Sequence, residues 1–163
     1  MNPNITITHK TGGEALAVAG GNYRIIIDGS QTGGAYAVIE MVVPPGGGPP
    51  PHSHPEIQEM FYVLEGELTF KTEAGNQLVR KDGFVNIPMG GAIHCFKNTS
   101  DAYARLLCTV VPAGLEDLFR EIGTPVAPGT FLPIPELDEN RRAFFKAIDI
   151  KYKQKTYPMD YLD

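Results

Sequence analysis

Short runs rich in Val, Ile, Tyr, Phe and Thr, separated by Gly, Pro, Asn and Asp, extend from Ile5 to about Val111. Such runs are typical of β-strands and such separators of turns. Their short, regular spacing favours an all-β sandwich or barrel over βαβ units. The clearest runs are Tyr23 to Ile27, Ala35 to Val43, Glu59 to Leu64, Leu68 to Lys71, Leu78 to Arg80, Phe84 to Ile87 and Ala104 to Val111.

The turns within this region predict how the strands are connected. Glu65-Gly66-Glu67 and Glu73-Ala74-Gly75-Asn76 each join two runs and read as hairpin loops, so we expect mostly antiparallel neighbours. The stretch PPGGGPPPHSHP, from Pro44 to Pro55, has the composition of a flexible linker. We reject that interpretation because it contains two histidines and a strand restarts directly after it.

Beyond Pro112 the pattern changes to helical spacing. Leu115, Leu118, Phe119 and Ile122 fall on one face of a short predicted helix that ends at Gly123. A second helix is predicted over about 136–148, with acidic residues early and basic ones later. The polar and aromatic tail KYKQKTYPMDYLD is expected to pack over the barrel or across a subunit boundary.

The size of the chain predicts one domain over residues 1–163, with a barrel over about 20–112 and a helical extension over about 113–163. Lys and Arg total 14 against 19 Asp and Glu, with no basic cluster, so nucleic acid is not an expected partner. The N-terminus lacks signal-peptide features and an apolar run of membrane-spanning length. Cys95 and Cys108 lie in apolar runs and read as buried free thiols. Together these features predict a cytoplasmic protein that is not bound to a membrane.

Three of the four histidines fall in two short motifs. His52 and His54 are two residues apart, so in a strand both rings face the same side while Ser53 faces away. Glu59 begins the strand EMFYVLEG and would face the interior, where an ionised carboxylate needs a counter-charge. Together with His94, these side chains offer three imidazoles and one carboxylate, a set that suits Mn, Fe, Co, Ni, Cu or Zn.

The spacing of these residues resembles the cupin superfamily. The first cupin motif, G-x5-HxH-x4-E-x6-G, is matched from Gly46 to Gly66 with every spacing kept. The second, G-x5-P-x-G-x2-H-x3-N, is matched from Gly83 to Asn98, except that Pro88 comes one residue early. This departure concerns the turn before His94. The two motifs cover about a third of the chain.

The resemblance implies a double-stranded β-helix, or jelly-roll barrel, followed here by short C-terminal helices. It also implies that His52, His54, Glu59 and His94 bind one divalent transition metal. Four protein ligands leave about two positions open on an octahedral ion, where water, dioxygen or a substrate could bind. Single-barrel cupins usually pair, so a homodimer is expected.

The polar residues also allow other interpretations. The two histidines of the first motif could be solvated in a Pro/Gly loop, and His94 could be a core histidine bonded to a backbone carbonyl. Glu56 is an alternative carboxylate, although the spacing favours Glu59. His9 has no motif around it and is expected at the surface. Cys95 follows a predicted ligand, but strand alternation turns it to the opposite face.

Two aromatic residues share strand parity with the predicted ligands. Phe61 faces the same side as Glu59, and Phe96 the same side as His94. Both are predicted to line an apolar substrate pocket, with ordinary core packing as the alternative.

Three functional hypotheses follow. The first is a metal-dependent enzyme similar to quercetin dioxygenase-like cupins, acting on a small oxygen-bearing organic molecule, with Glu59 as the catalytic proton acceptor. The second keeps the metal as a Lewis acid for isomerisation, decarboxylation or hydrolysis. The third is a protein that binds a small molecule without turnover. Fold alone does not choose among them.

Overall fold

The computed structural model describes residues 5–163. The first four residues, which belong to the N-terminal stretch without signal-peptide features, lie outside the described residues. The three helices are α1 (Gly29–Thr32), α2 (Leu115–Ile122) and α3 (Glu139–Lys151). The strands are β1 (Glu14–Val18), β2 (Gly21–Ile27), β3 (Ala37–Val43), β4 (His52–Ser53), β5 (Gln58–Glu65), β6 (Glu67–Thr72), β7 (Gly75–Arg80), β8 (Phe84–Ile87), β9 (His94–Lys97), β10 (Ala104–Val111), β11 (Thr124–Pro125) and β12 (Lys155–Thr156).

The strands form two antiparallel sheets. The first has the order β11-β1-β2-β3-β10-β5-β8, and the second has the order β12-β4-β9-β6-β7. Between β3 and β10 the chain passes repeatedly from one sheet to the other, and a shared apolar core lies between the sheets. This arrangement confirms the predicted double-stranded β-helix.

Alternation of side chains explains why the central strands form. Along β3 and β10 every second residue is buried, from Ala37 to Val43 and from Ala104 to Val110. The buried residues of the two strands face each other in register, as in the pair Ile39 and Cys108. Because successive side chains of a strand point to opposite faces, this pattern places one face of each strand in the core. All seven predicted runs are strands.

One of the two predicted hairpins is wrong. The turn at Gly66 connects β5 in the first sheet to β6 in the second, and these strands do not pair with each other. Gly66 has φ +74°, and a Cβ there would come within 2.9 Å of the Tyr103 carbonyl oxygen. Glycine therefore permits a turn between the sheets, packed against the chain before β10. The second turn does join a hairpin, β6 and β7.

The C-terminal region packs on the barrel. The predicted helix after Pro112 is confirmed as α2, which buries Leu115 and Leu118. The second predicted helix exists, but it begins at Glu139 because the Asp138 side chain accepts from the Arg141 N–H and caps it. The tail continues into β12, which pairs with β4, so it packs on the barrel of its own chain. No helix within residues 5–163 is long and apolar enough to cross a membrane.

Candidate metal centre

The four predicted ligands come together between the two sheets. His52 lies in β4 and pairs in register with His94, the first residue of β9. His54 follows β4 directly, and Glu59 lies in β5 of the other sheet, in register with Val110. Residues far apart in sequence therefore meet because the first motif crosses from the second sheet to the first.

Distances define a compact cluster. One ligand atom each from His52, His54 and Glu59 lies within 4.8 Å of the other two. His94 lies against this group: its ring centroid is 4.5 Å from that of His52 and 6.2 Å from that of His54. Its Nε2 is 2.9 Å from Oε2 of Glu59, whereas Nε2 of His54 is 3.7 Å from the same oxygen.

Backbone carbonyls orient two of the rings. Nδ1 of His52 lies 2.8 Å from the Pro50 oxygen, and Nδ1 of His94 lies 2.9 Å from the Ala92 oxygen. A carbonyl oxygen can only accept a hydrogen bond, so each Nδ1 must carry a proton. Each ring is thereby fixed with Nε2 as the atom available to the cluster, as second-shell hydrogen bonds orient metal ligands.

His54 has no such partner. The residue is 4% exposed, and both Nδ1 and Nε2 are buried without a hydrogen bond to any described residue. A neutral imidazole carries one donor and one acceptor, and leaving them unpaired in the interior costs free energy. Of the four side chains, His54 is the one that the polypeptide leaves unsatisfied.

Burial and mutual contact set the charges of the cluster. Burial, and after it the neighbouring His94, lowers the pKa of His52 to about 3, since its ring packs against the rings of His54 and His94. Burial also lowers the pKa of His54, although the carboxylates of Glu59 and Asp149 oppose this. Both rings are therefore neutral at neutral pH, the form in which imidazole binds metals.

Glu59 and His94 shift each other's pKa through a hydrogen bond. Burial alone would raise the pKa of Glu59, but the hydrogen bond from His94 and the nearby His54 and His52 rings hold it below its usual value. Burial likewise opposes charge on His94, yet its pKa is raised because Glu59 accepts its proton in a hydrogen bond. The hydrogen bond between the two side chains therefore favours the ionised carboxylate and the protonated ring together.

The chemistry of these donors fits a divalent metal. Three imidazoles, two of them oriented by backbone carbonyls, and one carboxylate are ligands that suit Mn, Fe, Co, Ni, Cu or Zn. The unprotonated ring nitrogen of His54 also gives the protein a buried acceptor that a cation would satisfy. The cluster of His52, His54 and Glu59 could hold a metal ion, and His94 lies within reach of Glu59.

The turn before His94 is tied to the first motif. Gly90 donates its N–H to the Pro55 oxygen at 3.0 Å, and Gly90 and Gly91 both have positive φ. This is the loop in which Pro88 departs from the cupin pattern. Its connection to Pro55, directly after His54, brings the two motifs side by side despite the shifted proline.

The other singled-out residues lie where the sequence placed them. Glu56 and His9 are exposed, and Glu56 pairs with Lys153 instead of entering the cluster. Cys95 and Cys108 are buried and free. Strand register pairs Cys95 with Lys71, while its neighbour His94 turns into the cluster.

Phe61 and Phe96 are buried on the interior side, as predicted. Together with Phe70 they form an aromatic trio with ring centroids 5.4 to 5.8 Å apart. These three rings belong to the core between the sheets. Their use as walls of a substrate pocket stays a prediction.

The neighbours of β4 could not be predicted from the sequence. The carbonyls of Pro50 and Ala92 carry no side-chain signal, and their role follows only from the folded backbone. The tail strand β12 pairs with β4, in register Thr156 with His52. The tail has no motif, and its docking could not be chosen from its composition.

Comparisons with known proteins agree with this geometry. Residues 39–110 match the family model described as Cupin domain. Quercetin 2,3-dioxygenase of Bacillus subtilis (strain 168) is 27% identical over 113 residues, covering 69% of this chain and 33% of that protein. Quercetin 2,3-dioxygenase of Aspergillus japonicus is 26% identical over 134 residues, covering 78% and 38%. The chain thus spans about a third of the length of these curated relatives.

Solved structures share the fold. The polyketide cyclase RemF from Streptomyces resistomycificus aligns with a TM-score of 0.59 at 21% identity, covering 88% of this chain and 94% of that one. An RmlC-like cupin from Shewanella frigidimarina NCIMB 400 aligns with a TM-score of 0.59 at 14% identity, covering 72% and 99%. The domain match over residues 39–110, the two paired motifs and the double-stranded β-helix together support the cupin superfamily for this chain.

Proposed function

We propose that His52, His54, Glu59 and His94 hold one divalent transition metal, drawn from Fe, Mn, Ni, Co, Cu and Zn. With this metal the protein acts as a dioxygenase-like oxidoreductase on a small oxygen-bearing organic molecule. Dioxygen is the oxidant, and both of its oxygen atoms enter the product. The cupin domain match and the two quercetin dioxygenase relatives support this choice of reaction.

One observation carries the metal: a buried histidine with two unpaired ring nitrogens stands beside a buried carboxylate. A core histidine kept for packing would be expected to bond to a carbonyl, as His52 and His94 do through Nδ1. His54 makes no hydrogen bond to any residue that the structure describes. An unpaired, buried ring nitrogen beside a buried carboxylate is the donor pair that a metal ion would bind.

The residues of the chain have distinct roles in this proposal. When bound, the metal supplies positive charge that lowers the pKa of a substrate hydroxyl. Glu59 is proposed to accept that proton, since a carboxylate that binds a metal through one oxygen keeps the other oxygen free to accept a proton. The carbonyls of Pro50 and Ala92 keep the two rings oriented. Phe61 and Phe96 are proposed to keep the substrate side apolar.

The test combines metal analysis with oxygen consumption. Purified protein is loaded with each metal in turn and offered a panel of flavonols and enediols while dissolved oxygen is recorded. We expect one metal per chain and oxygen uptake that matches substrate loss, and neither in a His54→Leu variant. Metal-loaded protein that consumes no oxygen across the panel overturns the dioxygenase. Equal turnover with zinc and with iron or nickel assigns the site to Lewis-acid chemistry instead.

Three further expectations accompany this function. We propose one domain over residues 1–163, which is supported by the pairing of β11 with β1 and of β12 with β4. A homodimer and a cytoplasmic location stay predictions. Size-exclusion chromatography with light scattering checks the dimer, and fractionation of the source cells checks the location.

A further inference from the structure

The strand that carries His52 is held mainly by its neighbours. β4 has two residues, and it pairs with β9 through the single register pair His52 and His94. On its other side it pairs with β12 through two register pairs, Lys155 with Ser53 and Thr156 with His52. The tail therefore provides as much of the local sheet as the strand that carries the other motif.

The segment before β4 has few backbone hydrogen-bond donors of its own. Pro49, Pro50 and Pro51 precede His52 and have no N–H to donate, so this stretch can only accept hydrogen bonds. Tyr157 supplies one, donating its N–H to the Pro51 oxygen at 2.8 Å. The next oxygen back, that of Pro50, accepts from Nδ1 of His52 and so sets the orientation of that ring. The tail thus fixes the backbone that orients a predicted ligand.

Other contacts keep the tail in this place. Lys153 pairs with Glu56 at 2.8 Å, between the first-motif histidines and Glu59 in sequence. Asp149 at the end of α3 accepts from the side chains of Gln154 at 3.0 Å and Thr156 at 3.1 Å. Exposed ion pairs contribute little individually, so the backbone pairing is the principal attachment.

We propose that β12 is a positioning strand for the metal centre, which holds β4 so that Nε2 of His52 points at the other three ligands. This inference rests on the proposed metal site. It assigns a functional role to a segment far downstream of both motifs. Metal affinity accordingly depends on backbone pairing at Lys155 and Tyr157, whose side chains do not enter the cluster.

The first test compares two substitutions at one exposed position. Lys155→Pro removes the backbone N–H on the side of β4, whereas Lys155→Ala removes the same side chain and keeps the N–H. Each protein is titrated with Co²⁺, and the visible absorption of bound cobalt reports both affinity and geometry. We expect Lys155→Pro to bind at least about tenfold more weakly, as loss of a second-shell support does, with an altered spectrum. Lys155→Ala is expected to match the wild type.

The second test uses the unaltered protein and does not depend on whether the proline variant folds. If β12 favours metal binding, metal must stabilise β12 by the same coupling free energy. Hydrogen exchange is measured with and without Co²⁺. We expect slower exchange of the Lys155 and Tyr157 amides and no change in Gly75–Arg80, the opposite edge of the same sheet.

The outcomes separate the two proposals. A wild type that binds no Co²⁺ overturns the metal site and the positioning strand with it. A wild type that binds Co²⁺ while its β12 amides exchange at an unchanged rate overturns the positioning strand alone. Equal affinity and equal spectra for the proline and alanine variants do the same.

Discussion

Two clusters of charged and polar side chains differ in whether each polar group has a partner within the chain. Beside α2, Arg120 donates to Glu14 at 2.7 Å, to Asp28 at 2.7 Å and to Asp117 at 2.8 Å. Next to it, Glu116 is 2% exposed, and its two oxygens accept from the N–H groups of Gly29 and Gly114 at 2.9 and 2.7 Å. We call these five side chains with their two backbone donors the Arg120 cluster.

The Arg120 cluster is complete, and the histidine cluster is not. Every charged group in the first has a partner from the chain, whereas the second leaves both nitrogens of His54 without one. A polar cluster in which every group has a partner stabilises a fold. Removing one member of such a cluster leaves another without its partner. An incomplete one costs stability and is retained where something else completes it. The difference predicts opposite responses to mutation.

The largest expected effect is loss of metal from the histidine cluster. His54→Leu removes a proposed ligand, so Co²⁺ affinity should fall by more than about a hundredfold, the upper end of what second-shell losses cost. His9→Leu is the matched control, since His9 is exposed and lies outside both motifs. Isothermal titration with Co²⁺ measures both. If His54→Leu binds as tightly as His9→Leu, His54 is not a ligand.

Much of the barrel could be predicted because its strands carry their own signal. β3 and β10 alternate buried and exposed residues over their whole length, and this pattern is readable before any contact is known. β4 has two residues in a proline-rich loop and β12 two in a polar tail, too few for a period. These two strands form through pairing instead: β4 pairs with β12 on one side and with β9 on the other.

The proximity of the four proposed ligands could be predicted for a different reason. The match to the two cupin motifs implied that His52, His54, Glu59 and His94 meet. The same match could not show that His54 lacks partners while His52 and His94 bond to carbonyls. It also could not assign the turn at Gly66, because a hairpin and a turn between sheets use the same residues.

The next effect belongs to the Arg120 cluster. Glu116→Ala leaves the N–H groups of Gly29 and Gly114 without acceptors, and hydrogen bonds to a charged group contribute about 1.5 to 3 kcal/mol each. We expect the free energy of unfolding in urea to fall by about 3 kcal/mol. Glu116→Gln keeps one acceptor oxygen and should lose about half as much.

Metal binding provides the contrast for Glu116. Co²⁺ affinity of both Glu116 variants should equal that of the wild type under conditions in which they are folded, because the Arg120 cluster shares no residue with the histidine cluster. A large change in affinity would show that the two clusters are coupled and would remove the distinction between them.

A smaller effect depends on pH. The Ser30 hydroxyl and, after it, Arg120 lower the pKa of Asp28 from 3.8 to about 2. A lowered pKa in the folded state means that this stability is present above about pH 4 and is lost as the pH falls towards 2. Asp28→Asn keeps the helix cap but loses the ion pair, so it should cost about 1 kcal/mol at pH 7.

The pH series tests this assignment directly. Urea unfolding of the wild type and of Asp28→Asn between pH 7 and pH 2 should give two curves that converge below about pH 4. A difference in unfolding free energy that stays constant down to pH 2 would show that the charge of Asp28 is not what stabilises the fold.

The smallest expected effect is the most informative about the histidine cluster. In metal-free protein kept in chelator, His54→Leu removes two unpaired buried nitrogens and puts an apolar side chain in their place. Unpaired buried polar groups cost about 1 to 3 kcal/mol, and their apolar replacement is close to neutral or stabilising. The free energy of unfolding should therefore stay within about 1 kcal/mol of the wild type or rise. Glu116→Ala, measured in the same urea series, gives the fall in the free energy of unfolding that follows the loss of a fully hydrogen-bonded group. A loss of 2 kcal/mol or more for His54→Leu would mean that the chain itself already holds this ring, and the incomplete cluster would then be structural like the complete one.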